Sequence, residues 1–263
     1  LHIPDVLIIA TKATENHTLP HLLAPLLHAQ RDKNSNKNNN MLTIVCLQNG
    51  LDMEHEMASL LDTPNNNSSI IIVGGVCFLC SNRKAPNHIV HVDYGKIILG
   101  IVDDDGDDNK QQAALQQVAE DFYGARVPIE VSKDMKKTRW KKLCWNIPFN
   151  GLSVVADAET DVLMMTEPHR RRAEAIMREV VALSIADGHG LEDGVVEEMM
   201  EMTEKMKPYA SSMRLDALGG RALELEAMYG RVLRRAEELG GVDVKEIKAL
   251  YKELKAFDCM NTL

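Results

Sequence analysis

Arg139-Trp-Lys-Lys-Leu-Cys-Trp-Asn-Ile-Pro-Phe-Asn-Gly151 reads as a helix with two unlike faces. At ~100° per residue, Lys142, Asn146 and Asn150 fall within roughly 80° of one another, while Leu143, Trp145 and Ile147 point in other directions. A lysine and two amides are costly to bury without partners, so this stripe must face either solvent or a polar cleft. The residues alone leave both open. Pro148 cannot donate to the Cys144 carbonyl, which predicts a kink between the two asparagines.

Downstream of this segment, helical periodicity runs to Leu254, with breaks at Pro148, Gly188 to Gly190, Pro208, Gly219-Gly220 and Gly240-Gly241. Upstream the pattern is different. Asp5-Val-Leu-Ile-Ile-Ala-Thr11 is a short continuous apolar run that reads as a parallel strand buried on both faces. His17 to Leu27 follows with leucines at helical spacing, and Met41 to Leu47 is a second buried strand ending at Gln48-Asn49-Gly50. Between them, the Asn-rich Asp32 to Asn40 is too polar to bury and reads as an inserted surface loop. Ile70 to Phe78 is a further strand, Ser81 to Asn87 is polar, and His88 to Leu99 alternates as the second arm of an antiparallel hairpin. Gln111 to Phe122 is a short helix and Val127 to Val131 a last strand. The expected boundary therefore lies near residue 132, with an α/β domain over 1–132 and an all-α domain over 133–263. The length of 263 residues agrees with two domains at ~150 residues each.

Apolar residues make up 45% of the chain and charged residues 26%, ordinary values for a chain with a sizeable core. A net charge of −9 gives no basic field for nucleic acid or an anionic membrane, so neither is an expected partner, and a small anionic substrate would need locally placed cations. The longest apolar runs, Val6 to Ala10 and Ile70 to Cys80, fall short of the ~18 to 20 residues that span a bilayer. Five scattered cysteines suit reduced thiols in a cytosol-like compartment. The chain opens at Leu1 on a strand-like run with no secretory pattern, as if cut. A cytoplasmic location is the expectation, with organelle targeting by an earlier segment left open.

Four other signals have ordinary readings. With Gly106 at position 6 of a calcium loop, Ile101 and Gln112 would occupy the ligand positions 1 and 12, so Asp103 to Asp108 reads as a solvated acidic loop. Cys77 and Cys80 have no second pair at zinc spacing and read as buried strand thiols. His17/His21 and His88/His91 lack a carboxylate at metal spacing, and no metal is expected. The sequons at Asn16, Asn66 and Asn67 carry no meaning without secretion.

Lys142-x3-Asn146-x3-Asn150 after Arg139-Trp140 resembles the start of the helical domain of ketopantoate reductases (2-dehydropantoate 2-reductases). The likeness extends along the chain. Asp5 to Lys12 resembles the family's strand ending in a cofactor-side lysine, Gln48-Asn49-Gly50 its Asn-Gly turn, and Gly74-Gly75 through Gly95 and Gly100 its strand hairpin. Ser211-Ser-Met-Arg-Leu-Asp216, Glu224-Leu-Glu-Ala-Met-Tyr-Gly230 and Leu233-Arg-Arg-Ala resemble its C-terminal signature.

The resemblance implies a Rossmann-type N-terminal domain, truncated at its start, followed by an all-α domain. It implies NADPH-dependent reduction of a 2-oxo acid, ketopantoate to (R)-pantoate, on the route to pantothenate and coenzyme A. By the same carry-over, Lys142 is the catalytic residue. Asn146, Asn150 and Ser212 bind substrate, and Lys12, Asn49 and Glu224 lie on the cofactor side. Glu224 is expected on a helix whose Leu223, Ala227 and Val232 face the core. Met199, Met200, Met202 and Met206 suit packing in a core or pairing into a homodimer.

The sequence also departs from the family. No GxGxxG phosphate turn occurs, and the resemblance places that turn upstream of Leu1 together with two βα units of roughly 60 residues. Glu15 stands where the family commonly has Gln, and Thr160 where it often has Asn. Two other readings therefore stay open: a reductase of another branched 2-oxo acid, and an inactive or cofactor-free member that works as a binding or dimerising module.

Overall fold

A computed structural model describes residues 4–35, 41–61, 70–102 and 109–261. It separates into two compact units, Leu1–Thr138 and Arg139–Leu263.

The first unit is built on one five-stranded sheet, β1 (Val6–Ile9), β2 (Leu42–Cys46), β3 (Ile70–Ala85), β4 (His88–Gly100) and β5 (Ile129–Val131), in that order across the sheet. β1 with β2, β2 with β3, and β4 with β5 run parallel, whereas β3 and β4 form an antiparallel hairpin. β2 is buried at every position, as its continuous apolar run requires. β1 departs from the expectation. It pairs in parallel with β2, Val6 opposite Thr43, but Ile8 is 48% exposed, because among the described residues β1 has a neighbour on one side only.

The hairpin is longer than its apolar residues suggest. β3 continues through the polar Ser81 to Ala85, with register shifts between Phe78/Leu79, Cys80/Ser81 and Arg83/Ala85. Ladder hydrogen bonds from β4 satisfy this backbone whether or not the side chains are apolar, and bulges of this kind twist a ribbon. Cys80 is buried and Cys77 half-buried, neither of them in a disulfide.

A 3-10 turn over Ala13–Thr18 leads into α1 (Leu19–Ser35). Leu19 and Leu27 are buried, but Leu22 is exposed. The expected loop from Asp32 is corrected here, since α1 runs on to Ser35; residues 36–40 lie outside the described residues. Polarity forbids burial, not helical hydrogen bonding, and a helix already nucleated propagates cheaply. The acidic run 103–108 and the sequons at Asn66 and Asn67 also lie outside the described residues. α2 (Met53–Leu60) follows β2, and α3 (Asn109–Gly124) follows β4. Leu115, Val118 and Ala119 of α3 pack on Val45, Ile71, Val73 and Leu99 to form a buried core.

The second unit is helical. α4 (Met135–Val155), which begins in the first unit, leads to α5 (Thr160–Met165), α6 (Glu167–Ala186), α7 (Val195–Lys205), α8 (Ser212–Leu218), a π-helical turn over Glu226–Gly230, α9 (Arg231–Leu239) and α10 (Lys245–Asn261). The breaks at Gly188, Pro208, Gly219 and Gly240 fall between helices, as their residues demand. Pro148 is the correction: α4 runs through it without ending. Phe149, Leu152 and Trp140 on α4 and Ile176, Met177 and Val180 on α6 are fully or almost fully buried, so tertiary packing outweighs one lost backbone bond. Met199 and Met200 are buried in this unit, whereas Met202 is 40% exposed. Among the described residues no helix is long and apolar enough to cross a membrane.

Candidate active site

The polar stripe lies on α4, and it is not a solvated face. Asn146 is 7% and Asn150 2% exposed, while Lys142 is half-buried. Two indoles beside the stripe anchor the helix. Trp140 Nε1 donates to Asp187 Oδ2 (2.9 Å) and Trp145 Nε1 to Thr203 Oγ1 (3.0 Å). Cys144, on the buried side, has its thiol pushed up to about 12 by burial, which makes it a small apolar filler rather than a nucleophile.

The carboxyl-terminal half of the stripe is tied to two other elements of this unit. Asn150 Nδ2 donates to Met228 Sδ (3.5 Å), in the π-helical turn. Ser153 Oγ donates to the Asn150 carbonyl (2.9 Å) and lies 2.6 Å from Ser211 Oγ, and Ser211 caps α8 by accepting the Arg214 N–H (3.2 Å). Ser212 is the first residue of α8 and is half-buried. Leu223, Ala227 and Val232 are buried as expected, yet Glu224 precedes the helical turns rather than riding along them. It is itself 3% exposed, and its carbonyl accepts the Met228 N–H (3.2 Å). Asn150, the start of α8 and the segment after Glu224 are thus joined by direct hydrogen bonds. Thr160, at the departure from the family pattern, is buried and exchanges hydrogen bonds with the Tyr209 backbone, its N–H to the carbonyl and its hydroxyl from the N–H (both 3.2 Å).

In the first unit, Lys12 and Asn49 follow the carboxyl ends of β1 and β2, the edge at which open parallel sheets take ligands. Both are half-buried, and Asn49 precedes Gly50 at φ 124, a conformation that side chains rarely adopt. The sequence reading passed over the residues between them. Gln48 Nε2 donates to Asn16 Oδ1 (2.7 Å) and to the Thr11 carbonyl (2.9 Å), and Asn16 Nδ2 donates to Glu56 Oε2 (2.9 Å). Gln48 and Asn16 are buried, so this network pins the strand ends that carry Lys12 and Asn49. Gly74 has a steric reason: a Cβ there would stand 2.2 Å from the buried carboxylate of Glu54. Glu15 is exposed on the 3-10 turn.

Comparison with known proteins bears on the family and the fold. Residues 1–104 match the family described as "Ketopantoate reductase PanE/ApbA", and residues 134–258 match "Ketopantoate reductase PanE/ApbA C terminal". A 2-dehydropantoate 2-reductase of Nostoc sp. is 40% identical over 257 residues, covering 98% of this chain and 75% of the relative. The crystal structure of 2-dehydropantoate 2-reductase from Geobacter metallireducens superposes with TM-score 0.82 at 30% identity, over 97% of this chain and 77% of that one. A D-mandelate dehydrogenase with NADH and anilino(oxo)acetate shares the fold, with TM-score 0.81 at 18% identity, over 100% of this chain and 79% of that one. On the α/β sheet, the helical unit and these matches along both, the chain belongs to the ketopantoate reductase family of oxidoreductases.

Proposed function

We propose that the chain carries out NADPH-dependent reduction of 2-dehydropantoate (ketopantoate) to (R)-pantoate, the reductive step on the route to pantothenate and coenzyme A. The observation that carries this reading is the stripe on α4, two buried amides with a partly exposed ammonium one turn before them. With a net charge of −9 on the chain, such an ammonium is the local cation that an anionic 2-oxo acid needs.

In this reading Lys142 holds a proton toward the keto oxygen and delivers it as alkoxide charge develops, and its charge stabilises that oxygen. Asn146 and Asn150 orient the hydroxyl and carbonyl groups, each amide offering donors and an acceptor. Ser212 helps hold the carboxylate. When bound, NADPH supplies the hydride that turns the keto carbon into a carbinol carbon. Lys12, Asn49 and Glu224 are the residues that would hold it, and the domain assignment follows, 1–132 for the cofactor and 133–263 for the helical domain. An ammonium and an amide at a parallel-sheet edge fit the phosphate and ribose of a nicotinamide nucleotide. Reduced thiols and a cytoplasmic site belong to the same reading, as does pairing of two chains through the methionine face on which Met202 is exposed.

The experiment that tests it is loss of NADPH absorbance on adding ketopantoate, with Lys142→Ala alongside and an NADPH titration of each protein. The expected result is turnover that Lys142→Ala slows by about 10²- to 10⁴-fold with NADPH affinity unchanged. Saturable NADPH binding without turnover would point to another branched 2-oxo acid, and the absence of both would overturn the reading.

A further inference from the structure

Tyr229 is fully buried in the π-helical turn, and its hydroxyl donates to the Ile147 carbonyl of α4 (2.8 Å). Ile147 and Gly151 are one helical turn apart, a pair joined by the backbone ladder of an α-helix. A side-chain hydroxyl therefore reaches an Ile147 carbonyl inside the helix, beside Gly151. Gly151 is what lets it in, since a Cβ there would lie 2.7 Å from the Tyr229 oxygen. Pro148, in the same turn, has no N–H for the Cys144 carbonyl. A side chain entering the ladder and an internal proline are two of the recognised causes of a bent helix, and both lie between Asn146 and Asn150. The turn that supplies Tyr229 also supplies Met228, whose sulfur meets the Asn150 amide. A π-helical turn carries one residue more than an α-turn, and that shift brings consecutive residues onto α4.

We propose that Tyr229 is a positioning residue for substrate binding: by bonding the Ile147 carbonyl beside Gly151 it sets the direction of Asn150 relative to Lys142 and Asn146. The role in turnover rests on the function proposed above, whereas the effect on α4 does not. Lys142 lies a turn before the inserted hydroxyl, so removing the hydroxyl misaligns the Asn150 contact and leaves the proton donor in place. Such a loss is felt equally by substrate and transition state and shows in KM rather than kcat.

The test is Tyr229→Phe in the full chain, with its crystal structure, its melting temperature, and kcat and KM for ketopantoate. The expected results are a straighter α4 between Asn146 and Asn150 and a KM raised by up to about tenfold with kcat within about twofold. Pro148→Ala, which restores the missing N–H without touching Tyr229, is expected to move KM the same way and carries the test if Tyr229→Phe does not fold. An unchanged α4 and unchanged KM in a folded variant would overturn the proposal. If wild type does not turn over ketopantoate, the reductase reading fails while the geometry of α4 in the variant still decides the positioning role.

Discussion

Trp140 Nε1 donates to Asp187 Oδ2 across 2.9 Å, and Arg235 Nε takes the other carboxylate oxygen at 2.7 Å. The Asp187 side chain is fully buried at the carboxyl end of α6, where the helix dipole disfavours an anion. The indole and the guanidinium offset that, and so fix the amino-terminal part of α4 against α6 and α9. Asp187→Asn is expected to destabilise by about 1.5–3 kcal/mol, since charge-assisted bonds are the strong ones. Glu197→Ala, which removes an exposed partner of Arg178, should leave stability nearly unchanged. Urea unfolding of both variants makes the comparison; equal effects would remove the Asp187 cluster as an anchor.

Gln48 does the corresponding work in the first unit. Gln48→Leu leaves the buried Asn16 amide oxygen without this donor and unties the Thr11 carbonyl, at an expected cost of about 1–3 kcal/mol. Because the strand ends carrying Lys12 and Asn49 lose their tie, NADPH should bind several-fold more weakly. A titration showing wild-type affinity in the folded variant would separate the network from the cofactor.

Asn150→Leu distinguishes a substrate contact from a core residue. The amide donates to the Met228 thioether, a weak acceptor, so an apolar side chain of similar size should leave the melting temperature nearly unchanged. KM for ketopantoate should nevertheless rise by about tenfold, the equivalent of one lost hydrogen bond of ~1.4 kcal/mol. A variant with wild-type KM would make Asn150 a packing residue.

Burial of the Cys144 thiol carries a pH dependence. Its folded pKa is raised from 9.0 to about 12, so above pH 9 the unfolded chain releases a proton that the folded chain retains. Stability is therefore full below pH 9 and falls as pH rises toward 12, by about 1.4 kcal/mol for each unit once the unfolded thiol has ionised. Tyr229, raised from 10.0 by burial, adds in the same direction at higher pH. Urea midpoints at pH 8 and pH 10.5 for wild type and Cys144→Ala measure it, and the variant should show the shallower decline.

The elements were largely legible because burial imposes a period. β2 is buried at every position, α4 and α6 repeat at three and four, and three glycines and a proline mark the breaks between helices. Where burial did not impose it, the reading slipped. The polar arm of β3 and the last turns of α1 are held by backbone hydrogen bonds that any side chain permits, and Pro148 is carried by the packing around it. The stripe of Lys142, Asn146 and Asn150 could be found by spacing alone, since all three lie on one helix.

By itself the sequence determined the class of each half, the family, and the polar face of α4, all of which follow from local periodicity or ordered motifs. Only the tertiary structure decided that the two asparagines of the stripe are buried rather than solvated. It also decided that Gln48 bonds Asn16, 32 positions away, and that Tyr229 enters the ladder of α4 at Ile147, 82 positions away. The reason is physical: a hydrogen bond between distant residues depends on distance and angle, and neither leaves a period in the chain.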